Sequence, residues 1–323
     1  MRPVLSSGLL AVTVACGAVK NTPDAGPGDT GGDVPTDVPL NRQHVVYSAK
    51  DTAGVDQIFT MRLDGTDKRQ LTTEAQQTIF GAVSPDGTKV VFTTTIASNE
   101  DLFVINIDGT GRRRLTTATA MDFRPSFSVD GQRIAFLSSR DGPFSVYVIS
   151  LALGDAGAVK RISVSTHQQE FPTMGGGQLD IANKVGYTES FPVGTGTQDE
   201  IMSATEDGTE VTNLTNNPAS DTTSSYSRDG TRIAFASDRA VAGQFQIWIM
   251  NADGSNPTQA TTSAGLSRIH PSFDLAGEHL IYTGEAGGVR NMFIANIDGT
   301  GEVPLTTDAD GFVEKMGCWV YAD

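Results

Sequence analysis

From residue 44 onward the chain alternates apolar and polar positions in short runs, and turns interrupt these runs at regular intervals. Examples are "KVVFTT" from Lys89, "RIAFLS" from Arg133, "RIAFAS" from Arg232 and "HLIYTG" from His279. A two-residue period rich in β-branched and aromatic side chains predicts strands with one face turned to a core. Each run follows a turn: "SPDGT" from Ser84, "SVDGQ" from Ser128, "SRDGT" from Ser227 and "DLAGE" from Asp274. Asp-Gly between alternating runs is a hairpin signal, because Gly accepts a positive φ and the Asp carboxylate bonds back to the backbone.

A second marker is an apolar strand ending in Asp-Gly, at Asp64, Asp108, Asp207, Asp253 and Asp298. Asp64 and Asp108 lie 44 residues apart, Asp207 and Asp253 lie 46 apart, and Asp253 and Asp298 lie 45 apart. The gap of 99 between Asp108 and Asp207 holds two units, the hidden one ending at "FSVYVISLALG", Phe144 to Gly154. Each unit then closes on a short Leu-Thr strand or a relative of it, such as "RQLTT", "RRLTT" or "VPLTT". Four short strands repeated six times predict blades of a propeller, since a solenoid repeat is usually shorter. Phe92, Phe136, Phe235 and Tyr282 recur at one place in the repeat and are expected to pack between blades.

These repeats resemble the WD40-like (PD40) repeats of the TolB propeller family over residues 44 to 323. The fourth unit, "EFPTMGGGQLDIANKVGYTES", lacks the Pro-Asp-Gly turn. The resemblance implies an all-β fold, a six-bladed β-propeller of four-stranded blades, and a protein partner in the cell envelope. The first unit lacks an opening strand, whereas the chain runs past the sixth unit as "DADGFVEKMGCWVYAD". The ring is therefore expected to close by the C-terminal strand, with "KMGCWVY" innermost in the first blade.

The region before the repeats has a different character. Arg2 precedes the apolar run "VLSSGLLAVTVA", too short to span a bilayer and of the length of a signal-peptide core. Ala15-Cys16 resembles the lipobox of bacterial lipoproteins, which implies lipidation at Cys16; an ordinary cleaved signal is the alternative. Residues 17 to 40 are rich in Gly, Pro, Asp and Thr and nearly free of large apolar groups, so they cannot repay the entropy of ordering. The expected organisation is a signal peptide over 1–15, a lipid anchor and disordered tether over 16–43, and the propeller over 44–323. It places the protein in the bacterial cell envelope, lipid-anchored on a periplasmic or outer-membrane surface. Cys318 has no second cysteine besides Cys16, so no disulfide framework is expected.

Charge and candidate chemistry narrow the function. A net charge of −15 repels phosphate backbones and argues against nucleic-acid binding. The "NIDGTG" loops at Asn106 and Asn296 lack the distal Glu and the further oxygens of a calcium loop, and read as hairpin turns. The four histidines His44, His167, His270 and His279 form no metal-ligand spacing, so no metal and no cofactor is expected. Aligning the repeats places Thr78, Asp122, Gln169, Asp221, Arg268 and Glu314 at one position, and Phe80, Arg124, Phe171, Thr223, His270 and Met316 two residues later. If the opening strands are innermost, both sets ring one mouth of the channel. They read either as a solvated rim or as a recognition face on a rigid scaffold. The candidate ligand or partner contacts are Asp122, Arg124, Glu170, Asp221, Arg268, His270, Glu314 and Lys315. The expected function is non-enzymatic binding, by a monomer, of an envelope protein or surface ligand. Two alternatives stay open: an enzyme resembling oligogalacturonate lyases or acting on other carbohydrates, and a purely structural surface lipoprotein.

Overall fold

The alternating runs pair in chain order into six antiparallel sheets, one per repeat. The computed structural model describes residues 38–163, 165–175, 184–262, 265–307, 313–314 and 320–322. The first blade holds β1 (Gln43–Lys50), β2 (Asp56–Arg62) and β3 (Arg69–Gln70). The second holds β4 (Thr78–Val83), β5 (Lys89–Ile96), β6 (Asn99–Asn106) and β7 (Arg113–Arg114). The third holds β8 (Asp122–Phe127), β9 (Arg133–Ser138), β10 (Ser145–Ser150) and β11 (Lys160–Arg161). The fourth holds β12 (Gln168–Met174), β13 (Lys184–Val193), β14 (Gly196–Thr205) and β15 (Val211–Asn213), so the unit with the weakest motif still forms a full blade. The fifth holds β16 (Asp221–Tyr226), β17 (Arg232–Ser237), β18 (Gln246–Asn251) and β19 (Thr258–Gln259). The sixth holds β20 (Ser267–Phe273), β21 (His279–Ala286), β22 (Val289–Asn296) and β23 (Val303–Pro304). Every blade runs in simple order from its opening strand to its short outer strand.

The two middle strands of a blade are largely buried on both faces, most completely β9, β10 and β17, because neighbouring blades cover them on either side. The core is thus a series of wedges between blades. Val91 and Leu102 of the second blade pack with Phe127, Ile134 and Phe136 of the third. Leu137 and Val146 of the third pack with Met174 and Tyr187 of the fourth. Phe92, Phe136, Phe235 and Tyr282 are all fully buried in these wedges, as their recurrence implied. Each such side chain contributes about 2–3 kcal/mol by leaving water. The outer strands are two or three residues long and mostly exposed, which leaves little free edge for another chain to join.

The two recurring motifs have distinct structural roles. In the turn, Ser84 Oγ donates to Asp86 Oδ1 at 2.5 Å and Thr88 N–H donates to the same oxygen at 3.0 Å. The same pattern serves Ser128 with Asp130 and Ser227 with Asp229. The glycine that follows takes a positive φ, for instance 71° at Gly87. The threonine of the Leu-Thr motif stands where the outer strand ends, and its hydroxyl accepts a backbone N–H of the third strand. Thr72 serves Ile58 at 2.9 Å, Thr116 serves Leu102 at 3.0 Å, Thr261 serves Ile247 at 2.9 Å and Thr306 serves Met292 at 2.8 Å. Both motifs are architecture.

The first blade is completed from the far end of the chain. β24 (Val313–Glu314) and β25 (Val320–Ala322) both pair antiparallel with β1, opposite Ala49–Ser48 and Val45–Gln43. Residues 315–319 between them, including Lys315 and Trp319, lie outside the described residues, as do the signal, Cys16 and the tether as far as residue 37. Residues 38–43, expected as the end of the tether, are described, with Leu40–Arg42 in a 3-10 turn and Gln43 as the first residue of β1. Deleting residues 313–323 strips the inner edge of β1 and parts the first wedge from the last. The melting temperature of that truncation should fall by more than about 10 °C with self-association in gel filtration; an unchanged, monomeric protein would place closure elsewhere.

Candidate functional site

Five non-glycine residues at one position of the repeat adopt the left-handed backbone region: Phe80 (φ 60°), Arg124 (54°), Phe171 (49°), Thr223 (53°) and His270 (53°). Each sits in a β-bulge near the start of an innermost strand, where the register with the second strand slips. A bulge re-aims its side chain, and here it does so in the second to sixth blades at the same end. In three blades the next residue is proline (Pro125, Pro172, Pro271), which needs no ladder partner inside a bulge. Holding a non-glycine residue there costs about 1–3 kcal/mol. A hydroxyl of a neighbouring blade offsets part of that cost by accepting the N–H of the strained residue. Ser48 serves Phe80 at 3.2 Å, Thr93 serves Arg124 at 3.3 Å, Thr188 serves Thr223 at 3.2 Å, and Thr223 in turn serves His270 at 3.1 Å. Leu137 occupies the equivalent place in the third blade and offers no hydroxyl to Phe171.

The side chains so aimed meet one another. The Arg124 guanidinium lies 4.0 Å from the ring centre of Phe171 and 5.4 Å from that of Phe80. Phe171 in turn faces His270, ring centres 5.2 Å apart. Arg124 Nη1 donates to Glu170 Oε2 at 2.6 Å. Cation–aromatic contact and ion pair together fix the guanidinium plane. Of the expected contacts, Arg124, Glu170 and His270 therefore gather at one end of the ring. They are joined by Phe80, Phe123 and Phe171, which the candidate set omitted although two of them hold the same repeat position.

The other ring of expected contacts is corrected by burial. Asp122, Asp221 and Arg268 are each at most 1% exposed, as are Thr78 and Gln169 at the same position. They are polar clasps inside the blades. Arg140 grips Asp122 through Nη2 at 2.7 Å and Nε at 3.3 Å. Arg239 Nη2 donates to both oxygens of Asp221, at 3.0 and 2.9 Å. Arg268 reverses the sign and pairs with Glu302 through Nε at 2.8 Å and Nη2 at 2.6 Å. Gln169 accepts the Val146 N–H at 3.0 Å, and Thr78 meets Thr94 at 3.2 Å. The position varies between blades because its partner varies, not because a ligand reads it. Glu314 lies in β24, opposite Ser48, and Lys315 is outside the described residues.

Two further carboxylates stand at the same end, near the tips of the hairpins that join second and third strands. Glu100 is in β6 opposite Thr95, and Asp199 is in β14 opposite Ser190. Burial pushes the Glu100 carboxyl above its ordinary range, with Arg124 pulling it back in part. Burial also raises Asp199; the hydrogen bond from Ser190 opposes the rise and the charge of Glu170 adds to it. Asp108 and Asp298 of the "NIDGTG" loops behave oppositely. Each accepts the hydroxyl and the N–H of a threonine two residues on and is held below the usual range. Those oxygens belong to the turn. His44, His167, His270 and His279 lie on four different strands or loops, and among the described residues no three His, Cys, Asp or Glu side chains converge on a metal position.

A family model described as the TolB beta propeller domain matches residues 40–184 and 186–316. The crystal structure of TolB from Acinetobacter baumannii is similar with a TM-score of 0.71 at 19% identity, over 87% of this chain and 67% of that one. An oligogalacturonate lyase from Vibrio parahaemolyticus is similar with a TM-score of 0.58 at 13% identity, over 84% of this chain and 79% of the other. A chain of a nidogen/laminin complex is similar with a TM-score of 0.65 at 10% identity, over 86% and 98% respectively. At these identities the likeness to solved structures is one of fold.

The buried clasps yield a direct test. Asp221→Ala leaves Arg239 without its carboxylate and should destabilise the fold by about 3–5 kcal/mol in chemical denaturation. Adding Arg239→Met should recover most of that loss. Equal stability of Asp221→Ala and wild type would return Asp221 to the surface.

Proposed function

We propose, from the premise that this chain belongs to the TolB β-propeller domain family, that it is a non-enzymatic binding propeller of the bacterial cell envelope. Its ligand is a protein or an envelope component taken at the end of the ring where the bulge side chains gather. The observation that carries this reading is the repeated strain. Five blades hold a non-glycine residue at φ 49–60° at one end; of the residues so aimed, Arg124, Phe171 and His270 are partly exposed and differ in chemistry, whereas Phe80 and Thr223 are buried beneath them. Strain kept in register while side chains differ is the pattern of a scaffold presenting a recognition surface. The likeness of fold to a lyase does not by itself carry a lyase's chemistry to this chain, since fold alone does not fix function.

Recognition at this face is tested with Arg124→Glu combined with Phe171→Ala. Recovery of cross-linked partner from native envelopes should fall by more than about tenfold, with folding changed by no more than about 1–2 kcal/mol. Undiminished recovery would remove this face from consideration.

The envelope reading also includes an acyl anchor at Cys16, supported by the apolar run before it and the polar leash after it. Cys16→Ser should release mature protein into the soluble fraction. A variant that stays with the membrane, together with wild type free of lipid by mass spectrometry, would discard the anchor.

A further inference from the structure

Among the described residues, seven large apolar side chains are exposed, and four of them stand at the end of the ring that carries the bulges. Met121 precedes β8; Val193 ends β13; Val241 lies between β17 and β18; Val289 opens β22 at a hairpin tip. Val193, Val241 and Val289 occupy the same connection in three consecutive blades and are 54%, 57% and 43% exposed. Isolated exposed valines need no explanation, but their recurrence at one connection of three consecutive blades, at the end that also bears Phe171 and His270, supplies that end with apolar side chains for a partner.

Charge decides what the face takes. Among the described residues, its cations are already bound by carboxylates of the same chain: Lys50 by Asp56, Arg124 by Glu170, Arg140 by Asp122 and Asp155, Arg239 by Asp221, and Arg290 by Glu285. Glu100 and Asp199 have no ion-pair partner among the described residues. Asp199 accepts only hydroxyl donors, Ser190 Oγ at 2.6 Å among them, and Arg124, committed to Glu170, is the one cation acting on Glu100. Both are half-buried, so their charge is partly stripped of water before any partner arrives. A cation from outside would regain that lost solvation, whereas an anion would meet repulsion on both sides of the Arg124–Glu170 pair.

We propose that this face docks an exposed segment of a partner protein in which a lysine or arginine is flanked by apolar residues. The cation is met by Glu100 and Asp199, and the apolar flanks by Val193, Val241, Val289 and Phe171. The inference rests on the binding reading above and gives its ligand a chemistry.

The full chain is titrated calorimetrically with the capped peptide Ala-Leu-Lys-Leu-Ala and with its Gln and Glu counterparts. The Lys peptide should bind about tenfold more tightly than the Gln peptide, and the Glu peptide should bind more weakly still. Glu100→Gln combined with Asp199→Asn should erase the preference for Lys. Asp253→Asn combined with Asp298→Asn, in turns at the opposite end, should leave it intact. Equal binding of Lys and Gln peptides, or a preference that survives in the Glu100→Gln/Asp199→Asn variant, would overturn the proposal. Capture of phosphatidylethanolamine vesicles with no discrimination among peptides would assign the face to a lipid surface and overturn it as well. A photo-cross-linking residue in place of Phe171 separates the two levels of the argument. If it captures an envelope protein while the peptides fail to discriminate, recognition at this face stands and the cation preference falls. If it captures nothing, both fall.

Discussion

Ring closure is the constraint on which everything else rests. Each blade is a sheet with two apolar faces, and neither face can be buried within the blade itself. Burial is achieved only between neighbours, so a row of six would leave an uncovered face at each end. The chain removes both ends by pairing β24 and β25 with β1, across most of its length. Only then do the openings of six inner strands converge on one axis. The contacts among Arg124, Phe171 and His270, which come from the third, fourth and sixth blades, therefore depend on a strand pairing made in the first.

Polar groups inside the wedges set the registers that apolar packing leaves loose. A threonine hydroxyl satisfies a third-strand N–H at the point where the outer strand stops, so a two-residue edge strand leaves no buried orphan donor. Asp122 with Arg140 and Asp221 with Arg239 fasten the beginning of an inner strand to the end of the second. A buried ion pair adds little net stability, yet it penalises misalignment heavily, because a shifted strand would strand a charge.

Much of this was legible in the sequence. The two-residue period, the Asp-Gly turns and the 44- to 46-residue spacing are local signals, and local hydrogen bonding enforces them. Closure was legible as well, because the first unit lacked a strand and the last had one to spare. The burial of Asp122, Asp221 and Arg268 was not. A charged residue of variable identity looks exposed until its partner is known, and Arg140, Arg239 and Glu302 lie 18 to 34 residues away. The sign of φ at Phe80, Arg124, Phe171, Thr223 and His270 was equally hidden. Glycine normally advertises that conformation, and here residues without its freedom adopt it because most receive a hydroxyl from a neighbouring blade.

That last arrangement separates two things that proteins usually specify together. The backbone at each bulge is set by its ladder and, in four blades, by a hydroxyl of another sheet that accepts its N–H; except at Thr223, whose own hydroxyl accepts the His270 N–H, neither depends on the side chain that the bulge projects. Phenylalanine, arginine, threonine and histidine each occupy the position in one blade or another. The molecule is built as a socket plate with replaceable pins. New specificities could arise by exchanging single residues at four addresses, Thr223 being tied to the His270 bulge, while the blades, their turns and their closure stay untouched.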